Sequence, residues 1–166
     1  KSSTGADSFK FVSAANPTSL INTQFNSYIA TFNYNIPSFG SKVSVSDDGG
    51  VTWTHRLESS YSRYENLYSI SNGSFILTGG GPGLLKSTNL GNNWKTELYG
   101  IPLGWKTSKI AFNQQKLFAI ANYELFSSNT SGDSWSHHNL AEAQASTSGV
   151  QDIGFFGNSI YIMRHS

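Results

Sequence analysis

The sequence has no cysteine and few charged residues, and each shortage excludes a class of protein. Without cysteine, the 166-residue chain has neither disulfides nor thiolate metal sites, although this absence does not by itself indicate a compartment. Charged residues make up 13% of the chain and the formal net charge is +1, so no basic field is available to attract nucleic acid. No apolar run approaches the ~18 residues of a membrane-spanning helix. We therefore expect neither a nucleic-acid partner nor a transmembrane segment.

The chain is rich instead in aromatic residues, at 14%, and in Ser, Asn, Thr and Gly. This composition favours short twisted strands joined by tight turns and argues against a helical protein. Low charge with many Ser, Asn and Thr residues is typical of exported bacterial proteins, so we expect a secreted, periplasmic or cell-surface location. The polar residues 1–8 are typical of a flexible lead-in after a removed signal peptide or a lipid-anchored cysteine, and equally of a tag or a proteolysis scar.

A tryptophan recurs at a step of 41 residues, at Trp53, Trp94 and Trp135, and the residues before it recur with it. The shared pattern is Ser-x-(Asp/Asn/Thr)-x-Gly-x-(Thr/Asn/Ser)-Trp. A period near 40 is typical of repeat proteins with four short strands in each unit, which predicts the blades of a β-propeller. The recurring positions are Ser46, Asp48, Gly50, Thr52 and Trp53; Ser87, Asn89, Gly91 and Trp94; and Ser128, Thr130, Gly132 and Trp135.

These three segments resemble the Asp-box, or BNR, repeat of sialidase-like β-propellers, whose pattern is Ser-x-Asp-x-Gly-x-Thr-Trp. The first copy matches in full, whereas Asn89 and Thr130 stand at the acidic position of the other two. A short polar side chain there can accept hydrogen bonds from backbone N–H groups further along the turn. The glycine suits a positive φ, and the tryptophan covers the turn. The resemblance implies a turn on the outer rim, remote from any active site.

Alignment on the tryptophans brings the other strands of each unit into register. It predicts a lead-in at residues 1–8 and one propeller, or part of one, over residues 9–166. We expect about three full blades of four antiparallel strands, with partial blades at both ends. Propeller rings usually have 4 to 8 blades, so further blades from the same or another chain are the preferred hypothesis. The predicted blades span approximately residues 19–58, 66–99, 108–140 and 151–166, the last of them incomplete.

The resemblance to sialidases also raises an enzyme hypothesis. Sialidases use an arginine triad, a tyrosine nucleophile paired with a glutamate, and an aspartate acid/base. Adjacent residues of a strand face opposite sides, so neither Tyr64-Glu65 nor Tyr123-Glu124 predicts that nucleophile pair. We predict no catalytic residue in this chain, and the alternative is a sialidase-like glycoside hydrolase whose catalytic residues lie partly on other blades. The only arginines are Arg56, Arg63 and Arg164, and residues 35–37 lack the arginine of the family's Arg-Ile-Pro motif.

Histidines offer no metal-binding pattern. His55 and His137 occupy the same repeat position, two residues after a tryptophan, which favours surface residues over ligands. Neither His-x-Glu nor His-x3-His occurs, so we predict no metal site and no cofactor.

Ligand binding is the function that remains, because propellers present loops from successive blades around one axial funnel. Irregular connections occur at residues 33–39, 58–65 and 99–106. Aromatic residues beside an arginine on such loops suit recognition of a glycan or protein partner, although the same side chains also suit packing between blades. The sequence thus predicts a non-catalytic binding or scaffold module. Its candidate ligand-binding residues are Tyr61, Arg63, Tyr64 and Trp105.

Overall fold

The computed structural model describes residues 17–24, 27–34, 40–59, 63–71, 73–79, 83–96, 99–113, 116–140, 149–157 and 159–164. These residues form strands and turns and no helix, which confirms the prediction of an all-β chain. The lead-in at residues 1–8 and the strand predicted at residues 9–15 lie outside this part of the chain. The strands are β1 (Ser19–Gln24), β2 (Ser27–Tyr34), β3 (Gly40–Ser46), β4 (Thr54–Ser59), β5 (Tyr64–Ser71), β6 (Ser74–Gly79), β7 (Leu85–Ser87), β8 (Thr107–Asn113), β9 (Lys116–Ala121), β10 (Glu124–Ser128), β11 (Ser136–His138), β12 (Val150–Phe156) and β13 (Ser159–Arg164).

The strands form four successive antiparallel sheets in which every strand pairs with its neighbour in sequence. The first sheet contains β1 to β4, the second β5 to β7, the third β8 to β11 and the fourth β12 and β13. In the second sheet, Lys86 and Lys95 exchange two backbone hydrogen bonds of 2.9 Å, which begins a fourth strand position. Four-stranded antiparallel meanders of this kind are typical of propeller blades, and the fourth sheet has two described strands.

The apolar cores lie between successive sheets rather than within one sheet. Along β6, Phe75 and Leu77 pack with residues of the first sheet, whereas Ile76 packs with residues of the third sheet. Side chains of a strand alternate between faces, so a strand covered on both sides needs a continuous apolar run. β9 meets this need with the sequence Leu-Phe-Ala-Ile-Ala after Lys116, and all five residues are buried.

The turns at residues 46–53, 87–94 and 128–135, here called the box turns, share one hydrogen-bonding pattern. The serine hydroxyl accepts a hydrogen bond from the glycine N–H at 2.8, 3.0 and 2.9 Å. The tryptophan Nε1 donates to the glycine carbonyl at 3.1, 3.0 and 3.0 Å. The repeated pattern shows that the three turns are structurally equivalent, as their spacing predicts.

The variable third position of each box turn performs the same role with three different side chains. Asp48, Asn89 and Thr130 each accept a hydrogen bond from the backbone N–H four residues later, at 2.9, 2.9 and 2.8 Å. The threonine hydroxyl therefore replaces the carboxylate in geometry. In the first turn, the side chain and then the backbone N–H of Thr52 lower the pKa of Asp48 from 3.8 to about 2.

Candidate functional site

Two kinds of connection meet at the end of the sheets opposite the box turns. One kind joins the second and third strands of a sheet, and the other joins successive sheets. Because the strands are antiparallel meanders, both kinds lie at the same end, which we call the connection end. Loops gathered in this way from several blades are the usual place for binding residues on a rigid scaffold.

Polar contacts link the second, third and fourth sheets at the connection end. Lys106 Nζ lies 2.6 Å from Glu65 Oε1, which joins the connection before β8 to β5. The carbonyl of Lys106 accepts a hydrogen bond of 2.9 Å from the N–H of Asn122. The carbonyl of Tyr123, the residue after Asn122, accepts a hydrogen bond of 2.7 Å from the N–H of Val150. At the connection end, an ion pair and backbone hydrogen bonds therefore join the second sheet to the third and the third to the fourth.

Tyr123 is the most unusual residue of this end. With Asn122 it forms the two-residue turn between β9 and β10. The φ angle is +48° at Asn122 and +66° at Tyr123. Such turns favour Asn followed by Gly, and a side chain in the left-handed region costs on the order of 1 kcal/mol. The tyrosine side chain is nevertheless 61% exposed. A strained, exposed aromatic residue of this kind supports a functional hypothesis.

Of the four residues predicted to bind a ligand, the structure brings two to the connection end. Arg63 is exposed immediately before β5. Trp105 is half-buried, with its ring edge-on to Phe126 at a centroid distance of 6.1 Å, so it also fills the space between the second and third sheets.

Tyr64 lies in the core between the first and second sheets, not on the surface. It is 2% exposed, and its N–H donates a hydrogen bond of 2.8 Å to the Ser41 hydroxyl. A side chain so enclosed has no surface to offer a ligand, so we remove Tyr64 from the candidate set. Tyr61 lies outside the described residues.

The innermost strands of the second, third and fourth sheets all carry a bulge near the connection end. The extra residue leaves the ladder between the first and third positions of each strand, and bulges of this kind redirect side chains. An ion pair between Lys109 and Asp152 joins the third and fourth sheets just beside these bulges. The hydrogen bond from the Lys109 side chain, and to a smaller extent the one from the N–H of Ile153, lowers the pKa of Asp152. The bulged residues are Glu65, Ser108 and Gln151.

Sequence reasoning missed Tyr123, Glu65 and Lys106 as site residues. The signal for Tyr123 is the two-residue gap between the apolar runs of β9 and β10, because a turn of that length takes Gly more readily than Tyr at its second position. No comparable signal identifies the Glu65–Lys106 pair, since it depends on how two sheets lie together.

The residues considered for catalysis lie on separate sheets. Arg56 is on β4, Arg63 precedes β5 and Arg164 ends β13, where its guanidinium donates a hydrogen bond of 2.8 Å to the Leu140 carbonyl. Glu124 Oε2 lies 2.6 Å from His137 Nε2. Among the described residues, no three His, Cys, Asp or Glu side chains form a group that could hold a metal ion. In that part of the chain no helix is long and apolar enough to cross a bilayer.

Comparison with known proteins shows a likeness in fold. No family model and no curated protein matches the chain. Among solved structures, YCF48 bound to D1 peptide matches with a TM-score of 0.58 and 14% identity, over 89% of this chain and 46% of that one. YCF48 from Cyanidioschyzon merolae gives 0.57 and 15%, over 89% and 56%. Both are propellers. The chain has a β-propeller fold.

A third propeller of similar fold is an enzyme. The GH74 xyloglucanase from Xanthomonas campestris matches with a TM-score of 0.51 and 20% identity, over 71% of this chain and 19% of the enzyme. The chain spans about half the length of the two YCF48 structures. At these identities the likeness carries the fold alone, and function has to be argued from the side chains.

Proposed function

We propose that this chain is a non-catalytic binding module of an exported protein, and that it recognises a segment of a protein partner at its connection end. The observation that carries the proposal is the exposed residue Tyr123, held in a strained turn whose Asn122 N–H donates a hydrogen bond to the carbonyl of Lys106, the cation of the Glu65–Lys106 ion pair. Aromatic residues next to charged groups of both signs are typical of protein-recognition surfaces. The YCF48 structure bound to a peptide is a propeller of similar fold and supports the same reading.

The box turns support assignment of the module to the Asp-box type. All three turns keep the serine–glycine and tryptophan–glycine hydrogen bonds, although only the first has the full sequence pattern. The box turns lie at the end of the sheets opposite the connection end, so they stabilise the rim and leave the connection end available for a partner.

A glycan is the competing ligand, because an aromatic ring beside polar groups also suits a sugar. We favour a protein segment since both charge signs are present within one ion pair, whereas neutral glycans have no group that needs them. A sialidase-like hydrolase is less well supported, because Arg56 lies on the edge strand β4 and the guanidinium of Arg164 donates a hydrogen bond to the Leu140 carbonyl.

The test is selection from a phage-displayed random peptide library, run beside a glycan array. We expect selected peptides to bind the chain and to lose at least about tenfold in affinity with Tyr123→Ala, and to weaken with Arg63→Ala. The matched control is Tyr99→Ala, which removes another exposed tyrosine whose backbone is bonded to the third box turn.

Peptides that bind the Tyr123→Ala and Arg63→Ala variants as tightly as the unaltered chain would show that the site lies elsewhere. Glycans that bind while no peptide is selected would replace the protein partner with a carbohydrate.

A further inference from the structure

Successive sheets meet through one contact that repeats. Ile29 of the first sheet packs on the glycine of the second box turn, and Ile76 of the second sheet packs on the glycine of the third. A Cβ on Gly91 would lie 2.7 Å from Ile29 Cδ1, and one on Gly132 would lie 2.9 Å from Ile76 Cδ1. A side chain at either position would have to displace the isoleucine, and the φ angles of +78° at Gly91 and +89° at Gly132 also favour glycine. We call the isoleucines knob residues and the glycines socket glycines.

The strand registers identify the equivalent positions in the other sheets. Each knob comes one position later in the sequence than the strand residue that pairs with the serine of a box turn. By this rule the knob of the third sheet is Phe118, one residue after the partner of Ser128. Phe118 pairs with Ala111 of β8. The matching pair in the fourth sheet is Tyr161 with Gly154, which makes Tyr161 the fourth knob. The first socket glycine is Gly50.

Among the described residues, the knob of the fourth sheet and the socket of the first are the two positions that remain at least partly exposed. Tyr161 is 58% exposed, whereas Ile29, Ile76 and Phe118 are all buried. Met163, on the same face as Tyr161, is exposed as well.

The first socket is equally uncovered. Gly50 is partly exposed, whereas Gly91 and Gly132 are buried. Its neighbour Val51 is an exposed apolar residue. Within the part of the chain that the structure describes, the knob of the fourth sheet and the socket of the first are thus both at least partly exposed.

We propose that two copies of the chain close a single ring, with Tyr161 of each copy packed on Gly50 of the other. The two faces are complementary because each has the form of one side of the contact already made twice inside the chain. They lie at opposite ends of the row of sheets, so the contact is head-to-tail, and two such contacts close a ring on a two-fold axis when the four sheets of each copy span half a turn. Four sheets from each copy give eight, which is within the usual range of propellers.

The ring would also complete the connection end. Within one copy, the first strands β1, β5, β8 and β12 of the four described sheets would line one part of the axis of such a ring. A second copy would supply the facing half, so that a ligand on the axis would contact both copies.

The first experiment measures mass against concentration by light scattering and native mass spectrometry. We expect a species of twice the 18.1 kDa chain mass. Tyr161→Glu is expected to raise the dimer dissociation constant at least about tenfold, because it places a charge in an apolar contact. The side chain is exposed in a single copy, so folding is not at risk. Tyr99→Glu, an equivalent change on another exposed tyrosine, should leave the dimer intact.

A species of 18.1 kDa at all concentrations up to about 100 µM would overturn the proposal, as would a trimer or an open polymer. A dimer that Tyr161→Glu leaves unchanged would overturn it too. None of these results depends on ligand binding, so they do not bear on the proposed function.

A second experiment uses the absence of cysteine. Val51→Cys and Tyr161→Cys chains, mixed under oxidising conditions, should form a disulfide between copies, since each thiol lies at the proposed contact. A disulfide formed instead within one chain of the double variant, at high dilution, would show that the four sheets close on themselves and would overturn the proposal.

Discussion

The three box-turn tryptophans offer the sharpest test of how the rim is stabilised. Trp135 is 5% exposed and packs into the core between the second and third sheets, whereas Trp94 and Trp53 are only half-buried. Each indole makes the same hydrogen bond to its glycine, worth about 1 kcal/mol. Differences in the free energy of unfolding among the three alanine variants therefore reflect how deeply each indole ring is buried. We expect Trp135→Ala to cost about 3–5 kcal/mol, Trp94→Ala less, and Trp53→Ala least.

Urea unfolding followed by far-UV circular dichroism measures these differences without relying on tryptophan fluorescence. Trp135→Phe is the control, because it keeps an aromatic ring and removes the Nε1 donor to Gly132 together with a small part of the buried ring volume. It should cost about 1–2 kcal/mol. If Trp53→Ala destabilises the protein as much as Trp135→Ala, burial does not govern the energetics of the box turns, and the reasoning from the core is refuted.

Two further predictions concern charged groups. Folding lowers the pKa of Asp48 from 3.8 to about 2, so its stabilising effect is present above pH 3.8 and is lost as the pH falls through about 2. The difference in thermal midpoint between the wild type and Asp48→Asn should therefore shrink over that range, and a constant difference would contradict it. Lys86 is 7% exposed and lies 2.7 Å from Asp133, which is 68% exposed. Asp133→Ala should cost about 1–3 kcal/mol because it leaves a buried ammonium group unpaired, whereas Lys86→Met should cost under about 1; the reverse order in urea unfolding would contradict this.

The step between the tryptophans predicts the order of the sheets because each repeat has to place equivalent residues at equivalent turns. The turn chemistry is equally local, since Asp48, Asn89 and Thr130 bond to backbone groups four residues away. Features determined within eight consecutive residues are therefore readable from the sequence.

The candidate site is harder to predict because it depends on how two sheets approach each other. The sequence pattern around Tyr64 suits a surface loop as well as a strand start, and only the packing of the first sheet over it buries the ring. The bulges at Glu65 and Ser108 likewise have no sequence marker, since a one-residue shift of register depends on the partner strand. Tyr123 was identifiable in principle from the length of its turn.

The position of the cores between sheets has a consequence for synthesis of the chain. Ile29 and Val43 of the first sheet are covered by Phe75 and Leu85 of the second, so their apolar surface stays open until the second sheet has left the ribosome. The other apolar face of the second sheet stays uncovered until the residues up to Trp135 have been synthesised. The nascent chain therefore always carries one uncovered apolar face at its growing end, where a chaperone or a neighbouring nascent copy meets it first.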